Sequence, residues 1–111
     1  MSVREKAVRK ARSRISDKQL TEFFRSIRNG GVLAARLIND QLDQGKSLDE
    51  IFYTGDGYGY SLDVKRLSGS RFAISFGCQA GPTAGDGGGW DVEFDEHGQV
   101  VAVDGGVLWV S

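Results

Sequence analysis

Apolar residues recur every three or four positions up to Gly55, and every second position after it. The first period is that of helices with one buried face, and the second that of strands. In residues 2–15, Val3, Ala7, Ala11 and Ile15, with Val8 beside them, make a narrow stripe between basic residues, which predicts a first helix. Its Ala and Val side chains bury little area, so this helix needs a surface to dock on. Ser16 and Gln19 have the spacing of a capping box, and Leu20, Phe23, Phe24 and Ile27 give the dense face of a second helix. Asn29-Gly30-Gly31 stops it. A third helix follows over Val32–Gln44, with Leu33, Leu37, Ile38 and Leu42 expected inward and Gly45 at its end. Ser47 and Glu50 repeat the capping spacing before Leu48, Ile51 and Phe52, so a short helix closes this half.

Beyond Gly55, Tyr58, Tyr60, Leu62 and Val64 alternate with small or polar residues, as in a strand with one wet face. Ser68-Gly69-Ser70 turns the chain into a second strand with Phe72, Ile74 and Phe76 on the apolar side. Gly77–Gly89, with six glycines, reads as a long loop, and Trp90, Val92 and Phe94 open a third strand. Glu96-His97-Gly98-Gln99 is a hairpin turn into Val100–Val103. Asp104-Gly105-Gly106 is a tight turn or a bulge before Val107–Val110, giving four or five strands. That last segment is apolar on both faces, so it should be covered or lie against another chain.

Helices first and hairpin-linked strands after predict an α+β fold, with N-terminal helices packed on one face of a four- to five-stranded antiparallel sheet. At 111 residues the chain is read as one domain: a basic helical arm over 1–15, helices over 16–54 and a sheet over 57–111. The expected core sets the helices of Leu20 to Leu42 on Tyr60, Leu62, Phe72, Ile74, Val92 and Phe94. Tyr58, Tyr60, Phe72, Phe76, Trp90 and Phe94 are read as core rather than as the lining of a ligand pocket. No apolar run is longer than that of Val107–Val110, far short of the ~20 residues of a membrane helix. The single Cys excludes an internal disulfide and points to a reducing compartment, so the cytoplasm is the expected location.

Charge is unevenly placed. Residues 1–14 carry six basic groups against Glu5, while the rest of the chain carries 8 basic and 14 acidic groups. The arm is therefore expected to pack, through Arg4, Arg9, Lys10 and Arg12, against Asp91, Glu93 and Asp95, of its own sheet or a second subunit's. The three acids fall on one strand face about 6.8 Å apart.

Chemical motifs are weak. The glycine-rich segment has neither a following helix nor the Lys-Ser/Thr of a phosphate loop. Cys78 and His97 have no spacing that requires them to meet, and one Cys with one His falls short of a zinc site. The helix after Gly45 would turn Asp49 and Glu50 towards DNA phosphates. No catalytic residue, metal or cofactor is expected. The reading is a non-enzymatic protein–protein interaction module that forms a homodimer. One alternative is nucleic-acid binding through the basic arm, and another is an acidic, immunity-type inhibitor of a basic partner.

Overall fold

A computed structural model describes the backbone of residues 3–53, 59–79 and 85–110, and the side chains of 6–52, 60–78 and 85–110. Helices α1 (Val3–Arg12), α2 (Asp17–Ser26), α3 (Leu33–Asp43) and α4 (Leu48–Tyr53) precede strands β1 (Gly59–Ser68), β2 (Arg71–Gln79), β3 (Gly85–Phe94) and β4 (Val100–Val110). The strands form one antiparallel meander in the order β1-β2-β3-β4. This is the expected α+β architecture, with the helices on one sheet face.

The core follows the alternation of the strands. Tyr60, Leu62 and Val64 of β1, Phe72, Ile74 and Phe76 of β2, and Trp90, Val92 and Phe94 of β3 are all buried on the helix side. Phe23 and Phe24 of α2 sit over the centre, with ring centroids 5.6 Å from Trp90 and 4.9 Å from Phe76, both edge-on. Such pairs each add about 0.5–1.5 kcal/mol beyond burial. Both halves of the Ser16/Gln19 capping box are present. Ser47 likewise accepts from the Glu50 amide at 3.2 Å.

Helix α1 docks on its own chain, but in a different phase from the one expected. Val8, Ala11 and Ile15 are buried whereas Ala7 is exposed, a spacing of three and four rather than four and four. The straight stripe drifts around a helix of 3.6 residues per turn, so the i, i+3, i+7 set holds one side better. Arg12 donates to the carboxylates of both Asp17 and Asp49, tying α1 to α2 and α4. Arg14 Nη1 donates to the Val64 carbonyl of β1 at 2.9 Å.

Helix α3 is also rotated from expectation. Ala34, Ala35, Ile38 and Asn39 are buried, Leu37 and Leu42 are half-buried, and Leu33 is exposed. Two polar groups set this phase. Asn39 Nδ2 donates to the carbonyls of Phe24 and Ala35 at 2.9 and 2.8 Å. The buried Asp86 carboxylate accepts from the amides of Leu33 and Ala34 at 2.7 and 2.8 Å.

The glycine-rich segment is mostly strand rather than loop: β2 runs through Gln79 and β3 starts at Gly85. Glycine here serves close approach, since a Cβ on Gly77 would stand 2.7 Å from Trp109 Cζ2. The C-terminal stretch is one strand and not two. Asp104, Gly105 and Gly106 pair in unbroken register with Asp91, Trp90 and Gly89, so no turn forms there, and Gly105 takes a φ of 144° that glycine adopts readily. Tyr58 lies outside the described residues.

Candidate interaction surface

The two edges of the sheet are treated differently. At β1, helix α1 packs alongside and Arg14 occupies the Val64 carbonyl. At the other edge β4 pairs with β3 on one side only. It contains no Lys, Arg or Pro, the residues that commonly discourage edge pairing. Val101, Val103, Val107, Leu108, Trp109 and Val110 are all exposed, Leu108 and Val110 by more than 70 % (73 % and 72 %). The register shifts near each end of the strand, but from Ala102 to Val107 the pairing with β3 is unbroken. That segment, with Asp104 as its one charged residue and one row of backbone groups turned outward, is a template for another strand.

The sheet face away from the helices carries a second feature. Gly77, Gly87 and Gly89 leave bare backbone in the middle of β2 and β3. The Trp109 indole lies over Gly77 and Gly87, and a Cβ on Gly89 would touch Leu108 at 3.1 Å. Ser61 and Asp63 of β1, Ser75 of β2 and the exposed Ala7 of α1 complete a groove of about 570 Å³.

The predicted acidic row is two residues long on this face. Asp91 and Glu93 are exposed there, Glu93 opposite Arg71 of β2 and Asp91 opposite Asp104 of β4. Asp95 belongs instead to the β3–β4 turn. Its carboxylate accepts from the Gln99 and His97 amides at 2.9 and 2.8 Å, and these bonds, that from Gln99 first, hold its pKa below the usual range. Strand geometry ends at Phe94, so the three-residue spacing does not continue to Asp95.

Where the partner of an arm residue is described, it lies elsewhere than this row. Arg12 is held between Asp17 and Asp49, with only 10 % of its side chain exposed, and is unavailable to a partner. Arg9 and Lys10 are exposed on α1. The side chain of Arg4 lies outside the described residues. The arm buries Val8, Ala11 and Ile15 against its own chain.

Cys78 and His97 are not brought together. Cys78 is buried opposite Asp86, and His97 lies beyond the far end of β3, about 27 Å away along the strand. Burial raises the Cys78 pKa above the ordinary thiol value, against a lowering bond to Tyr60, and the charge of Asp86 adds to the rise. That is the reverse of what a nucleophilic cysteine requires. Among the described residues no group of three or more His, Cys, Asp or Glu could hold a metal, and no helix is long and apolar enough to cross a membrane. Asp86, Asn39 and the groove were missed by sequence reading; Val32, a helix start without a capping side chain, was the one available sign of Asp86.

Comparison with protein-family models, with curated proteins and with solved structures finds no match to this chain.

Proposed function

We propose that this protein is a non-enzymatic protein–protein interaction module that forms a homodimer by pairing the β4 strands of two copies. The exposed apolar β4 edge carries this reading. Its six large apolar residues leave roughly 600 Å² in water in all, divided between the two faces of the edge strand, with Val103 and Val107 on the helix side and Leu108 and Trp109 on the open side. Pairing two β4 strands antiparallel about a two-fold axis joins two four-stranded sheets into one and satisfies the outward backbone groups of both. The contrast with the guarded β1 edge supports a dimer rather than an open fibre, because only one edge per copy is available. A buried thiol with a raised pKa is a poor nucleophile, so Cys78 lends no support to a catalytic reading.

Sedimentation equilibrium tests it. The wild-type chain is expected to sediment as a dimer and the Val103→Lys and Val107→Lys variants, both within the unbroken segment, as folded monomers. A wild-type chain that stays monomeric at ~0.5 mM, where even a weak dimer would be populated, would overturn the reading.

A further inference from the structure

We infer that a basic surface along the β1 edge binds the phosphate backbone of a nucleic-acid duplex. This goes beyond the β4 dimer, since β1 and β4 are opposite edges of the sheet. Helix α1 runs along β1: Ala7 lies beside Ser61 and Asp63, and the Arg14 guanidinium reaches the Val64 carbonyl. Lys6, Lys10 and Arg14 are exposed and recur every four residues, a row about 12 Å long. Arg14 shares a cleft of about 640 Å³ with Lys65 and Arg66 of β1, and Arg71 opens β2 just after the same hairpin turn.

Charge sets the sign of the occupant. Among the described residues none of these six cations is held in an ion pair. The cleft has one acid, Asp63, and Glu93 stands opposite Arg71. Asp17 and Asp49, at the end of α1, are both taken up by Arg12. Cations closer together than the screening length of about 8 Å repel one another, and a polyanion laid along them removes that repulsion.

Shape narrows the partner further. A duplex carries about one charge per 1.7 Å of its axis, so a row of cations meets several phosphates at once. Proteins that hold single strands stack the bases on aromatic side chains, whereas among the described residues the exposed aromatic is Trp109, on the far edge. A membrane surface calls for a broad apolar face beside the cations, and here Leu67 alone supplies an exposed large apolar side chain. Contacts to phosphate carry no sequence information, so binding is indifferent to sequence.

Fluorescence anisotropy of the full chain with labelled duplexes of ~20 base pairs, two unrelated DNA sequences and one RNA, tests this. Oligo-dT and phosphatidylserine vesicles serve as competitors. The two DNA duplexes are expected to bind alike, and to lose about a hundredfold or more in affinity between ~50 and ~200 mM salt. The double substitution Lys10→Ala, Lys65→Ala should weaken binding by at least about tenfold and make the salt slope shallower by about two, whereas Arg36→Ala, which removes an exposed cation from α3, should change neither. No binding of any duplex at ~50 mM salt, an unchanged slope in the double variant, an equal loss in Arg36→Ala, or stronger binding to oligo-dT or to the vesicles would each overturn the proposal. Sedimentation of the double variant should match wild type, so failure of this surface and failure of the β4 pairing are read separately.

Discussion

At the scale of single residues, Asp86 does the most with the least local announcement. Val32 at the start of α3 has no side chain that can accept a bond, so the first amides of that helix are capped from β3, 53 and 52 residues away. The carboxylate also lies at the positive end of the helix dipole. Asp86→Ala should lower stability by about 2 kcal/mol, because two buried amides lose a charged acceptor at once. Asp86→Asn, which keeps one oxygen, should lose less, and urea denaturation measures both. Equal stability of Asp86→Ala and wild type would show that the cap contributes nothing. A sequence scan cannot find such a residue, since Asp86 stands among glycines that read as loop. The glycines misled for the same reason: their use is to admit Trp109, which lies more than 20 positions away in sequence.

At the scale of elements, hydrophobic period and capping residues were enough to predict four helices and an antiparallel sheet of four or five strands, of which four form, and Ser16/Gln19 and Ser47/Glu50 marked the starts of α2 and α4. Phase was less legible. In α1 the buried stripe takes Val8 and leaves out Ala7, and in α3 Ala34, Ala35 and Asn39 go deep beside Ile38 while Leu37 and Leu42 pack at the edge of the core and Leu33 is exposed, a rotation held by the polar contacts of Asn39 and Asp86. Arg12 joins three helices through one guanidinium, so removing it and removing one of its acids should differ. Arg12→Ala is expected to cost about 1–2 kcal/mol, while Asp17→Ala, which leaves the bond to Asp49, should cost under ~1 kcal/mol. Thermal unfolding of the two variants checks the order, and a larger loss in Asp17→Ala would contradict it.

At the scale of the whole molecule, the proposed function rests on an asymmetry: α1 and Arg14 guard the β1 edge, whereas β4 ends the sheet with apolar side chains in water. The apolar character of Val107–Val110 was visible in sequence. That these residues share one edge strand with Val101 and Val103 was not, because Asp104-Gly105-Gly106 reads as a turn until its pairing with Asp91, Trp90 and Gly89 is seen. Amide hydrogen exchange measured across protein concentration tests the central claim most directly. As concentration rises, the outward amides within Ala102–Val107 should gain protection while those at the β1 edge stay unchanged. Protection of β4 that is the same at every concentration, or a gain that falls on β1 instead, would contradict the account.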